Sequence, residues 1–378
     1  MKICYIADGS SIHTQRWLNY FAGKGHEVHL IYWKVRPGYD KSICIHFLKR
    51  FAPQIWTITR YISFLQWIFR VRKLIKEIKP DVVDAHFIID NGLLGALSGF
   101  HPFVATGWGS DILVFPQRNF IWKIVARFVL KRADKIFCNS DYIKERTLLL
   151  GAELNKVSRI NHGADINKFN PNRTDKLLKK KLGIGDCPVV ISVRHLRPIY
   201  NVEMLIKAIP LVLEKIPQTH FIIGSDGEQR SYLEKLATEI GAKHGVIFIG
   251  YISHDDIPVY LASSDVYVST SRSDSSSQSL QEAMASGLAV VVTDLPTNRE
   301  WITDGENGFI VPKDDHRALA EKIVYLIEND KARVEKGKRS RKFIEDNDDY
   351  IKEMGKVEKL YKSLISTLKN TKASKKNK

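Results

Sequence analysis

The 378-residue sequence contains no run of about 18 or more apolar residues, so nothing in it reads as a bilayer-spanning helix. Cysteine is scarce and scattered: Cys4, Cys44, Cys138 and Cys187 lack the paired spacing of a zinc or redox site. Cys4 and Cys138 fall inside apolar strand patterns, and a reduced, cytoplasmic protein is expected. The first apolar run, in "MKICYIADGSS", is too short for a signal-peptide core and reads as a buried strand. No G-x-G-x-x-G follows it, which argues against a nicotinamide or flavin site. No G-x-x-x-x-G-K-[ST] occurs either, which argues against a P-loop NTPase. His13, His26, His29, His86 and His162 show no ligand spacing, so no metal site is expected.

Acid is the scarcer charge: 42 Asp and Glu stand against 58 Lys and Arg, a net +16. The excess is uneven. Residues 41–80 carry nine Lys/Arg against one acid, Glu77, and "RNFIWKIVARFVLKR" (Arg118 to Arg132) is a second basic stretch. Such asymmetry implies an anionic partner, whether a membrane surface, nucleic acid or phosphorylated substrates. From Tyr61 to Ile78 a helical wheel gathers Tyr61, Phe64, Leu65, Ile68, Val71 and Ile75 on one side, expected to pack on a sheet. Trp56 and Trp67 border that side. With Arg70, Lys73 and Lys76 they are the expected contacts to anionic lipid, as interfacial Trp and cations are in peripheral proteins.

Short apolar runs alternate with longer helical patterns. "KICYIAD", "EVHLIYW", "DVVDAHF", "PFVATG" and "KIFCNS" read as strands, and "CPVVISV", "HFIIGSD", "GVIFIGY", "DVYVST" and "LAVVVTD" repeat the scheme. The class is therefore α/β, with two Rossmann-like, doubly wound parallel sheets facing each other across a cleft. The expected domains are residues 1–165 and 166–345. Residues 346–370 are expected to form a helix packing back toward the first domain, and 371–378 a basic disordered tail.

One loop lies at a strand's carboxyl end, where such sheets bind ligands: "RSDSSSQSLQEAMASG", from Arg272 to Gly287. Five serines in nine residues suggest a linker, but buried-strand patterns flank them on both sides, so this is a site loop. Ser277 or Ser279 is placed to cap a helix beginning near Leu280, whose first amides then face an anion. Glu282 falls in the first helical turn, able to hold two vicinal ribose hydroxyls, with Asp274 out on the loop. Arg194 and Arg197 in "SVRHLRP" flank another strand end and suit a diphosphate. Asp111, in "TGWGSD", either caps a helix or orients a second substrate.

The run "SRSDSSSQSLQEAMASGLAVVVTDLPTNREWITDGENGFIVP" resembles the signature of the family 4 retaining glycosyltransferases, which have the GT-B fold. Their acid-x7-acid pattern falls on Asp274 and Glu282. "HTQRWLNYFAGKGHEVHL", "KPDVVDAHF", "PFVATGWGSD", "NHGADINKFNP", "SVRHLRP", "IIGSDGE" and "FIGYIS" match in order, so the likeness covers nearly the whole chain. The resemblance implies that Glu282 holds the donor ribose and Asp274 contacts the donor sugar. It also implies that Ser276, Ser277, Gln278, Ser279 and Leu280 offer backbone N–H groups to the diphosphate and sugar. Arg194 matches the family's diphosphate arginine and, with Asp274, is the expected catalytic pair. Tyr251 and Ile252 lie where the backbone reads the base, and Gly9 and Ser10 match the loop by which the diphosphate approaches the first domain.

Four departures stand out. The first acid is Asp rather than Glu, and Ser276-Ser277 replaces Phe-Gly. The lysine expected after Arg194 is absent, with Ile199 and Tyr200 in its place, so Arg197 is the candidate substitute. Trp108 stands where many members have an acceptor-side histidine; it and Asp111 are the acceptor-side candidates. The implied reaction is retaining, metal-independent transfer of a sugar from a UDP- or GDP-type donor to a lipid-linked saccharide, at the inner face of the plasma membrane and without any cofactor. Lipopolysaccharide or other cell-surface polysaccharide synthesis is the implied setting. A GT-B nucleotide-sugar epimerase is the first alternative, distinguished by product formed without acceptor. A basic nucleic-acid-binding protein is the second, but no recognition-helix motif or aromatic RNA-binding sheet supports it, so nucleic acid is not an expected partner.

Overall fold

A computed structural model describes residues 1–48 and 57–376. The chain forms two compact units, one of residues 1–161 with 353–378 and the other of residues 162–352. In the first, seven parallel strands run in the order β3-β2-β1-β4-β5-β6-β7: β1 (Lys2–Ile6), β2 (Glu27–Tyr32), β3 (Cys44–Phe47), β4 (Val82–His86), β5 (Phe103–Thr106), β6 (Lys135–Cys138) and β7 (Val157–Arg159). In the second, six run β10-β9-β8-β11-β12-β13: β8 (Val189–Ser192), β9 (His220–Ile223), β10 (Val246–Phe248), β11 (Val266–Ser269), β12 (Ala289–Thr293) and β13 (Phe309–Val311). Both orders reverse direction once, between β1 and β4 and between β8 and β11. There neighbouring crossovers diverge to opposite faces and leave a crevice at the carboxyl ends.

The apolar runs become strands because both faces of each sheet are covered, which removes any need for alternation. Val266, Tyr267 and Val268 of β11 and Val290, Val291 and Val292 of β12 are fully buried. Three strands absent from the sequence reading, β3, β7 and β13, are short edge strands of three or four residues. Their sequences, "CIHF", "VSR" and "FIV", are too brief to show a period, and pairing with a neighbour defines them.

The helix Thr57–Ile78 buries Ile68, Val71, Leu74, Ile75 and Ile78. Leu65, expected on the buried side, is instead exposed beside Phe69, because the buried stripe follows the core below rather than the ideal wheel. Trp56 lies outside the described residues. Trp67 does not face outward: its ring stacks on Trp33 at 5.1 Å, and Trp33 stacks on Tyr32. Arg70, Lys73 and Lys76 are exposed.

The last helix, Tyr350–Lys376, runs past Thr371, where the sequence reading begins a disordered tail. Met354, Val357, Tyr361 and Ile365 lie on one helical face and are buried. Within the first unit, Tyr361 donates its hydroxyl proton to Asp84, which also accepts from Thr106 Oγ1 at 2.8 Å. Glu353 accepts from the Asn161 amide, and His26 Nε2 lies 3.2 Å from Glu358. This helix therefore completes the core of the first unit, although the whole second unit intervenes in sequence.

Candidate functional site

The crevice of the second unit is bounded by the segments leaving β8 and β11. Two residues beyond β8, the buried Arg194 donates from Nη1 to Ser277 Oγ (2.7 Å) and Ser279 Oγ (3.0 Å), and from Nη2 to Asp274 Oδ2 (2.5 Å). Its guanidinium lies 4.2 Å from the centre of the Tyr200 ring. Burial opposes the charge, but Asp274, Tyr267 and Tyr200 outweigh it, so the guanidinium pKa is raised. Its Nε has no hydrogen-bond partner among the described residues. Arg197 is exposed and makes no ion pair among the described residues.

Beyond β11, Asp274 is held in place by its neighbours. Its Oδ1 accepts from the Ser275 amide (2.9 Å) and its carbonyl from Thr297 Oγ1 (3.1 Å). Ser277, extended at φ −77 and ψ 100, is the N-cap of the helix Gln278–Ala285 and accepts from the Leu280 amide. The helix thus starts two residues earlier than expected, because the hydroxyl at Ser277 ends the loop there. Glu282 consequently lies beyond the first turn, which holds no acid. The amides of Gln278 and Ser279 precede the ladder and remain unused by it. Ser276 accepts from Gln281 Nε2 (2.7 Å), and Gln278 Nε2 donates to the Gly163 carbonyl (3.2 Å).

Glu282 is buried at 3 % exposure, and its Oε1 lies 3.1 Å from Nε2 of His254. Tyr251 is 71 % exposed while Ile252 is buried. A Cβ on Gly224 would meet Ile252 Cδ1 at 2.4 Å, so that glycine makes room for the core rather than for a ligand. Sequence reading missed His254 and Thr297, and named Tyr200 only as standing where a lysine was expected. The first sits on the loop after β10, three residues beyond Tyr251, where a search of the strand's carboxyl end would have reached it.

The first unit holds a separate group. Gly9 was expected to admit a diphosphate, but a Cβ there would lie 2.6 Å from both the Lys34 carbonyl oxygen and Val35 Cγ1. Its close approach is to its own chain, with the Gly9 carbonyl accepting from the Tyr39 hydroxyl at 3.0 Å. Ser10 is exposed, and its amide and hydroxyl both donate to Asp8. Asp111 is not the N-cap of the short helix Ser110–Leu113, a position that Gly109 fills. Fully buried, it accepts from the amides of Ile88 (2.7 Å), Trp108 (3.0 Å) and Gly109 (2.8 Å), tying the β4 and β5 loops together. Burial raises its carboxyl pKa, and those amides partly oppose the rise. Trp108 is half-buried between His86 (5.3 Å) and His13 (5.4 Å).

The sequence pattern of Glycosyl transferases group 1 matches residues 174–343, and that of Glycosyl transferase 4-like matches residues 2–140. Spore coat protein SA of Bacillus subtilis (strain 168) is 30% identical over 224 residues, 55% of this chain and 59% of that protein. A UDP-Gal:alpha-D-GlcNAc-diphosphoundecaprenol alpha-1,3-galactosyltransferase of Escherichia coli is 26% identical over 328 residues, 83% of this chain and 84% of the enzyme. Among solved structures, Anabaena Alr3699/HepE in complex with UDP superposes with a TM-score of 0.78 at 20% identity, covering 96% of this chain and all of that one. With these two patterns in chain order on two parallel-sheet units, the chain belongs to the glycosyl transferases group 1 family and has the GT-B fold.

Proposed function

We propose that this glycosyltransferase uses a UDP- or GDP-type sugar and transfers it, with retention and without a metal, to a lipid-linked saccharide of the cell surface. The carrying observation is the cluster of Arg194, Asp274, Ser277 and Ser279 at the second unit's switch point, with Glu282 further along the same helix. Arg194 and the amides of Gln278 and Ser279 suit the diphosphate, and Arg197 adds an exposed cation. Together they supply the charge that a leaving diphosphate needs, as an oxyanion hole does. Asp274 is assigned to the sugar and Glu282 to the ribose hydroxyls. In the reaction the bond from the sugar's C1 to the phosphate oxygen breaks, the acceptor oxygen bonds C1 on the same face, and its proton goes to the leaving phosphate. The E. coli relative named for a diphosphoundecaprenol acceptor and the UDP-bound Anabaena structure support this choice of substrates.

The first unit supports contact with anionic lipid. Leu65 and Phe69 are exposed on one helix, and Phe120, Ile121, Ile124 and Phe128 on the helix Phe120–Arg132, among Arg70, Lys73, Lys76, Lys123 and Arg127. Both helices pack on the intervening helix Asn91–Ser98. Among the described residues no helix is long and apolar enough to cross a membrane.

The test is to incubate the protein with UDP-glucose, UDP-galactose or GDP-mannose and an undecaprenyl-diphosphate-linked sugar, with and without EDTA. NMR of the product reads its anomeric configuration. A product with the donor's configuration, formed in EDTA, is expected. Inversion, a need for metal, or conversion of the donor sugar without acceptor would each overturn the corresponding part.

A further inference from the structure

Two side chains of the second unit, Lys168 and His254, form a line ending on Glu282 that the donor assignment leaves unexplained. Lys168 Nζ lies 3.0 Å from Nδ1 of His254 and 2.7 Å from Asp255 Oδ1. The opposite ring nitrogen, Nε2, lies 3.1 Å from Oε1 of Glu282. An ammonium group has donors only, so Nδ1 of His254 must accept from Lys168. The imidazole proton then resides on Nε2 and is donated to the Glu282 carboxylate. The buried Phe169 presses edge-on against the imidazole, with ring centres 5.5 Å apart at 69°. Two directional contacts and one apolar wall leave the ring a single orientation.

We infer that Lys168 and His254 form a relay that sets the tautomer of His254 and thereby aims the Glu282 carboxylate at the donor's ribose. This inference rests on the ribose assignment made above. Glu282 is buried, and Oε2 has no hydrogen-bond partner among the described residues. A carboxylate with one oxygen anchored and the other open can accept two hydroxyls without rotating. Unanchored, it would have to be ordered at the moment of binding, which costs affinity. His254 is thus a positioning residue: it does not touch the nucleotide but decides how well the nucleotide's 2′-hydroxyl is read. The chain supplies a discriminating variant. Glutamine has an amide that donates and a carbonyl that accepts, so His254→Gln keeps both contacts, whereas His254→Leu keeps only the bulk.

The experiment measures binding, by titration calorimetry, of the tighter of UDP and GDP and of its 2′-deoxy form to wild type, H254L, H254Q and E282A. H254L is expected to lose about tenfold in affinity for the ribonucleotide, the size of one charge-assisted hydrogen bond. Its affinity for the deoxy form should hardly change, so the preference collapses. H254Q should keep it. Nitrogen-15 NMR of the wild-type imidazole should show a protonated Nε2 and a bare Nδ1, and K168M should lose that fixed tautomer. A wild-type preference in H254L, an H254Q as impaired as H254L, or a proton on Nδ1 would each overturn the relay. If E282A retains the preference, the ribose assignment itself has failed. If E282A loses it and H254L does not, only the relay has failed.

Discussion

Arg194 and Asp274, eighty positions apart in sequence, are joined by a 2.5 Å ion pair across the switch point of the second unit. Each therefore occupies the partner that the proposed donor would need. Both are largely buried, so the pair is sheltered from solvent screening. A diphosphate entering the site must share or displace Asp274 from the guanidinium.

That competition sets the first prediction. R194A should weaken binding of free UDP by about 2–3 kcal/mol, the loss of a charged hydrogen-bonding partner. D274N should act oppositely on the free nucleotide, tightening it a few-fold, while turnover falls strongly because the sugar loses its acid. Calorimetry on the two variants, beside initial rates, checks the split. Weaker UDP binding in D274N would show that the pair assists the diphosphate rather than competing with it.

The last helix offers a test of stability. Tyr361 is fully buried, its phenol pKa raised first by burial and then by the neighbouring Asp84. Y361F removes one proton donor and leaves an Asp84 oxygen buried without it. A loss of about 1–3 kcal/mol in urea unfolding of the first transition is expected, the cost of an unsatisfied buried acceptor. D84N with Y361F should lose less than the sum of the single changes, because the two share one interaction.

The proposed membrane contact is tested on the exposed apolar residues Phe69 and Ile121, which the tryptophan pattern did not single out. F69S with I121S should abolish sedimentation with vesicles containing anionic phosphatidylglycerol. Replacing Arg70, Lys73 and Lys76 by Gln should weaken it by up to about 1 kcal/mol per charge. The melting shift produced by UDP should survive both sets. Binding undiminished by F69S/I121S would place the contact elsewhere.

The histidines predict a direction with pH. Burial lowers the pKa of His26, His46, His195 and His220 from the ordinary 6.5, assisted by nearby positive or imidazole groups at the first three. Below about pH 6.5 the unfolded chain then binds more protons than the folded one, so stability is full above that pH and declines as pH falls through it. The melting temperature should drop between pH 7 and 5. H220Q should flatten the drop, since burial is the sole cause at His220. Asp111, raised by burial, works in the opposite sense and is left unchanged in this comparison.

Much of the architecture was legible from local pattern. Strand-helix alternation located ten of the strands, and the hydroxyl at Ser277 announced the cap that the structure shows. The spacing of Asp274 and Glu282 pointed to the loop that the structure places against Arg194. The register of Glu282 was misjudged by the two residues between Leu280 and the true start of the helix, because two serines compete as caps and propensity alone does not separate them. Trp67 was misjudged for another reason: an aromatic at the edge of an apolar stripe can face lipid or a second aromatic, and only the position of Trp33 decides.

The sequence by itself determined the two parallel sheets, the family signature and the loop that carries the acids, since these depend on periodicity, capping and spacing within a few dozen residues. Tertiary structure alone decided that Arg194 meets Asp274, that Lys168 and His254 reach Glu282, that Tyr361 closes on Asp84, and that Gly9 is filled by Lys34 and Val35. Each of these joins residues brought together by the strand order or by the return of the last helix. Sheet order is set by the free energy of the whole packed core, and no local window of side chains contains that information.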